Sequence, residues 1–175
     1  KIFIVELAGF AFALLIHEAR SPLYKKFVQT VSAIPHFFSW VIVCTLTMSL
    51  LTSKGWVNLT LDAFGLDKIG FLSDKLVFPW TLIFSETWKE FGWSAVIYLA
   101  ALTGINPELY EAAKVDGVNK FQKIWYVDLP CIKNTIVIMF IMNMGFVMSL
   151  GFEKAFLMQN PLNLESSEVI STYVY

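Results

Sequence analysis

The chain has 175 residues, 57% hydrophobic and only 15% charged, with a mean hydropathy of +0.62, whereas an ordinary soluble domain carries about 25% charged residues. A net charge of −1 with no basic tract excludes nucleic acid as a partner. The two cysteines, Cys44 and Cys131, lie in or beside apolar runs and form no C-x-x-C pair, which argues against a disulfide framework or a zinc site.

Residues 2–16 are almost wholly apolar and read as the end of a membrane span, short of the ~20 residues that a full crossing needs. The segment 17–35 holds Arg20, Lys25 and Lys26 against the single acid Glu18, which predicts a cytoplasmic loop by the positive-inside rule. Residues 36–52 are expected to form the next span, with Trp40 in an interfacial position. An ordered polar loop then follows over 53–76, where Asn58-Leu59-Thr60 matches the glycosylation pattern only as common chance matches do. Residues 77–105 contain two apolar halves around SETWKE, neither long enough to span alone; joined as one helix they are. A second Lys-containing loop covers 106–129, a further span 130–150, and the start of another lies near 169–175. The two proposed inside segments, with Lys133 just beyond the second, hold seven Lys and Arg against four outside, in agreement with the alternation of spans. The alternation of a membrane barrel is absent, so the fold class is an all-α integral membrane protein with a single transmembrane domain over 1–175. The chain opens on KIFIVELAGF without a signal-peptide pattern and closes on STYVY, and is expected to be a piece of a larger protein.

The loop reads EAAKVDGVNKFQKIWYVDLP over 111–130. Asn106, Pro107 and Glu108 form a helix start: an amide that caps free N–H groups, a first helical residue that lacks one, and an acid at the positive helix end. Ile105 and Tyr110 stand at hydrophobic-staple spacing. Gly117 suits a left-handed helix terminus, and Asn119 with Gln122 predicts a capping box for a second helix. On that helix Phe121, Ile124, Trp125 and Asp128 are expected to share a face, and Pro130 to mark the turn back into the membrane. Taken by themselves, these features describe an ordinary loop of two short surface helices. A DNA-binding helix-turn-helix is argued against by the neighbouring spans and the absence of a basic face.

Glu111, Ala112, Ala113, Gly117, Leu129 and Pro130 stand at the spacing Glu-Ala-Ala, three residues, Gly, nine residues, Ile-x-Leu-Pro, with Val127 in place of the Ile. The stretch therefore resembles the signature loop of binding-protein-dependent ABC importer permeases. LYKKFVQTVSAIPHF, WKEFGWSAVIYLAAL, INPELYEAAKVDG and the STYVY ending extend the resemblance to the carbohydrate branch, particularly permeases for complex oligosaccharides. The resemblance implies a multi-span helical bundle of the type I importer kind, lacking here its first span or spans and most of its last. It implies that the loop, with Glu111, Ala112, Ala113, Asp116, Gly117, Leu129 and Pro130, is a coupling element seated on a cytoplasmic ATPase dimer. It further implies a second permease subunit, an extracellular solute-binding protein, a carbohydrate substrate and a bacterial plasma membrane. No P-loop is present, so ATP and magnesium are expected on the partner ATPase, with no cofactor, metal or catalytic residue in this chain.

Inside the spans, Glu86, Lys89 and Glu90 each cost ~2.5–3.5 kcal/mol at mid-membrane and need partners or water. A Glu86–Lys89 pair at i,i+3 is available. With Trp88 and Trp93 this polar turn reads either as a border of the translocation pathway or as an ion pair at a permease interface. Asn143 reads as interhelical glue or as a ligand contact, and Glu153 as a solvated acid or part of the outer mouth. His17 and His36 read as interfacial side chains, and Met139, Met142, Met144 and Met148 as adaptable packing. A secondary transporter or channel is the competing function, supported by the charges inside the third span. A membrane enzyme lacks any nucleophile, base and orienter set.

Overall fold

The computed structural model describes residues 2–145 and 152–167, and among these every regular element is helical. The run of apolar residues behind Lys1, interrupted by Glu6, forms α1 (Ile2–Glu18), which ends on His17 and Glu18. Ser21 caps α2 (Pro22–Ala33) by accepting the Tyr24 N–H, and Pro22 occupies its first position. The segment 17–35, expected as a cytoplasmic loop between spans, therefore contains a twelve-residue helix. It passes into a short 3₁₀ turn, Ile34–Phe37, and the span expected from residue 36 starts only after a second serine cap, Ser39, as α3 (Trp40–Leu51). Pro35 explains the interruption, since it supplies no N–H to continue α2.

The expected polar loop 53–76 likewise carries a helix, α4 (Trp56–Ala63). Asn58 is fully buried there, donating to the carbonyls of Thr52 (3.1 Å) and Ile69 (3.0 Å) and accepting the Ile69 N–H (2.9 Å). Both ends of its amide are used to fold the loop, which leaves nothing for a glycan. The third apolar region is one unbroken helix, α5 (Phe78–Thr103), 26 residues and ~39 Å long. Then come α6 (Pro107–Val115), α7 (Lys120–Lys123), a π turn over Ile124–Asp128, α8 (Leu129–Gly145), α9 (Phe152–Met158) and α10 (Leu164–Ser167). The expected end of the fourth span at 146–150, with Met148, and the span start near 169–175 lie outside the described residues.

By length and composition two stretches among the described residues can cross a membrane, Trp40–Ala63 and Lys120–Gly145. The described residues divide into two compact units: residues up to His36 with Glu90–Gly145, and Phe37–Lys89 with those after 145. In the first, Ala13 and Ile16 of α1, Tyr98 and Leu102 of α5 and Ile132 of α8 form a buried cluster. α2 comes so close to α5 that a Cβ on Gly92 would fall on the backbone carbonyl of Ser32. His36 stacks on Trp93 at 4.7 Å and bonds Glu90 at 2.8 Å. In the second unit Cys44, Phe78 and Met158 are the buried core, and Asn163 and Asn160 tie the α9–α10 turn to the carbonyl of Leu72 at 3.0 and 3.1 Å.

Candidate coupling surface

The chain leaves α5 at Gly104 and starts again at Asn106, whose side chain accepts the Glu108 N–H at 3.0 Å. Ile105 is buried and Tyr110 packs against the same cluster, so α6 is anchored by its first turn. At its other end the Val118 N–H reaches the Ala113 carbonyl (3.0 Å) and the Gly117 N–H that of Lys114 (3.2 Å), a Schellman closure with Gly117 at φ +72°. Two residues later Asn119 and Gln122 exchange backbone N–H bonds, each at 2.9 Å, in a complete capping box. Ala113 faces inward, while Glu111, Ala112 and Asp116 face out. Val115 and Phe121, on either side of the glycine, are 88% and 85% exposed.

Pro130 does not end a helix. Helix runs from Lys120 to Gly145 without a break, and the π turn before the proline makes this possible. The Leu129 N–H bonds Ile124, five residues back, so the ladder is already widened where the ring arrives and the N–H is lost. The same widening breaks up the face expected for Phe121, Ile124, Trp125 and Asp128. Phe121 and Trp125 point outward, Ile124 is half-buried, and Asp128 has no exposed surface.

Asp128 accepts the Tyr110 hydroxyl at 2.7 Å through one oxygen, and its other oxygen has no partner. The Tyr110 hydroxyl also lies 3.5 Å from His17 Nε2. Burial, then the Asp128 carboxylate, pushes the tyrosine hydroxyl well above its ordinary range. His17 sits just past the 2–16 span, and its pKa is lowered, chiefly by burial and further by Lys123 and Lys25, against the opposing pull of Asp128 and Glu18. Lys25 Nζ donates to the His17 carbonyl at 2.6 Å. Lys123 bonds the Glu18 carboxylate and lies 5.5 Å over the Tyr110 ring, while Lys120 approaches Glu18 at 3.9 Å.

The polar groups of the spans have partners in both units. In the first unit, Tyr98 and Asn143 both donate to the Glu6 carboxylate, which borders a mostly apolar cavity of about 410 Å³ with Phe3, Phe10 and Phe140. In the second, Glu86 receives the ammonium of Lys154 at 2.7 Å, and Lys154 also donates to the Leu82 carbonyl at 3.0 Å. Lys89 and Lys154 lie 5.1 and 5.3 Å from the Trp40 ring. Trp88 is half-buried and Glu153 exposed.

Residues 7–175 match the model of the binding-protein-dependent transport system inner membrane component family. The chain belongs to that family. This permease is 47% identical over 93% of its length to a polygalacturonan/rhamnogalacturonan transport system permease protein, YteP, of Bacillus subtilis strain 168, of which it covers 51%. It is 39% identical over 93% of its length to Protein LplB of the same organism, covering 52% of that chain. It therefore spans about half the length of the curated relatives it matches. Among solved structures it superimposes with a TM-score of 0.95 and 40% identity on a chain of a bacterial alginate ABC transporter in complex with an alginate pentasaccharide-bound periplasmic protein, covering 99% of the permease and 61% of that chain. A second structure, of a bacterial ABC transporter involved in the import of alginate, gives a TM-score of 0.92 and 42% identity, covering 96% of the permease and 59% of that chain.

The motif residues of the permease fall on one compact surface feature, α6 to the start of α8. Of the six residues named for the pathway, Trp93 stacks on His36 and Asn143 donates to Glu6 in the first unit, while Glu86, Trp88, Lys89 and Glu153 belong to the second. Glu6, Glu18, Tyr110, Asp128 and Lys154 carry specific contacts with residues distant in the sequence. A lone carboxylate in an apolar run signals Glu6. Nothing local signals that Lys154 meets Glu86, 68 residues earlier in the chain.

Proposed function

We propose that this permease is the transmembrane subunit of an ATP-driven importer for oligosaccharides, and that the segment Asn106–Pro130 is where a cytoplasmic ATPase dimer engages it. One observation carries the reading. Two short helices, capped at both joints and bolted on their inner side, present Val115, Phe121 and the Glu111 carboxylate outward on either side of a left-handed glycine. Apolar side chains of that size on so rigid a loop suit a partner groove, and a fixed angle between the helices lets a push on the loop be passed on rather than absorbed. The ATPase would hold ATP and magnesium, a second permease would complete the pathway, and an extracellular binding protein would deliver the sugar. Oligosaccharides are favoured because the relatives' names concern polygalacturonan, rhamnogalacturonan and alginate. The family description supports the bacterial plasma membrane.

The test is purification of the full-length protein from its native membranes. An ATPase, a sister permease and a solute-binding protein should accompany it. Glu111→Lys combined with Gly117→Val, which forces a branched side chain into a left-handed conformation at about 1–2 kcal/mol, should release the ATPase and abolish coupled hydrolysis. Uptake that follows an ion gradient and survives loss of the ATPase would instead favour a secondary transporter.

A further inference from the structure

Two routes lead from the loop into the spans. The covalent one runs through α7 into α8 and must cross the π turn at Ile124–Asp128, where the helical ladder is widened. The other is made of side chains and goes around that turn to the end of α1. Lys123, on the loop side of the π turn, bonds Glu18, the last residue of α1, and Lys120 stands 3.9 Å from the same carboxylate. Tyr110 on α6 reaches Asp128 at the far side of the π turn and comes within 3.5 Å of His17. Lys25 holds the His17 carbonyl from α2. Three helices thus converge on the last turn of α1. Ile16, one residue earlier, is packed in the same cluster as Ile105 and Leu102, so the junction has an apolar floor.

We infer that Glu18 and Asp128 are positioning residues that fasten the loop to α1, so that a displacement of the loop is delivered to α1 as directly as to α8. A charged pair that is only about one-fifth exposed at each partner is little screened by solvent and so holds the two segments together. The Tyr110–Asp128 bond braces the π turn and keeps the loop from hinging there. The inference rests on the coupling reading, since a latch has a use only if something pulls the loop.

The experiment uses the full-length permease purified with its ATPase. With Cys44 and Cys131 replaced by alanine, nitroxides are placed at Leu7→Cys on the exposed side of α1 and at Glu108→Cys on the loop, and their separation is measured without nucleotide and after trapping with ATP and vanadate. In the otherwise unchanged protein the separation should be the same in both states, because α1 and the loop move as one piece. Glu18→Lys or Lys123→Glu alone should make the separation shift on trapping, and the reciprocal pair Glu18→Lys with Lys123→Glu should restore constancy. Tyr110→Phe, which removes only the hydroxyl, should give the same shift as the single charge reversals. A separation that changes on trapping in the unchanged protein, single variants that behave like it, or a reciprocal pair no better than its parts would each overturn the latch. ATPase missing from the unchanged, purified complex overturns the coupling reading itself, and that is visible before any distance is measured.

Discussion

Asp128 is a carboxylate with no exposed surface and one oxygen without a partner. Its one hydrogen bond comes from the Tyr110 hydroxyl, which also approaches His17. His17 faces Asp128, Glu18, Lys123, Lys25 and the Tyr110 hydroxyl, and burial holds its pKa below the ordinary 6.5. In the folded protein it therefore gives up its proton more readily than in the unfolded chain. The stability this contributes is fully present above about pH 6.5 and is lost as pH falls through and below that value. Melting of the detergent-solubilised protein should consequently fall more between about pH 7.5 and about pH 5.5 for the native sequence than for His17→Gln, which does not titrate there. Equal falls in both would show that His17 is not the group that matters.

Gly92 is the point at which two helices come closest, because the Ser32 backbone occupies the space where a side chain would begin. Gly104, at the end of α5, has only ordinary contacts around the same position. Gly92→Ala should therefore cost about 1–3 kcal/mol by forcing α2 and α5 apart, while Gly104→Ala should stay within about 0.5 kcal/mol. Thermal unfolding of the two variants side by side checks the difference. Local chemistry explains which elements were legible in the sequence. Asn106-Pro107, Gly117 and Asn119 with Gln122 are each self-sufficient signals, because the groups that close those helix ends lie within a few residues. Ser21-Pro22 is the same kind of signal, masked by the neighbouring lysines, which mark the segment as a loop. The π turn has no such signature. It reflects a compromise between Pro130 and the packing of α8, and only the three-dimensional ladder reveals it.

At the scale of the whole chain, the apolar surfaces of α1, α3 and α8 and the family membership agree on a membrane setting, with 17–35 and 106–129 on one side and 53–76 on the other as the expected topology. Single cysteines at Lys114 and Lys68 test it. A membrane-impermeant maleimide should label the Lys114→Cys protein only in inside-out vesicles and the Lys68→Cys protein only from outside. Labelling of both from one face would refute that topology. The candidate coupling loop was readable because its motif is contiguous. The partners of Glu6, Glu86 and Glu90 were not, because they come from Tyr98 and Asn143, from Lys154 and from His36, far along the chain, and no spacing rule links them.

The π turn at Ile124–Asp128 also sets a phase. One extra residue in a helix rotates everything beyond it by about 100° relative to an uninterrupted α-helix. Ile132 enters the core and Asn143 reaches Glu6 from the same helix that leaves Phe121 and Trp125 facing away from the protein. The turn therefore works as a phase shifter, letting one continuous rod turn Phe121 and Trp125 outward at one end and Ile132 and Asn143 toward its helical neighbours further along.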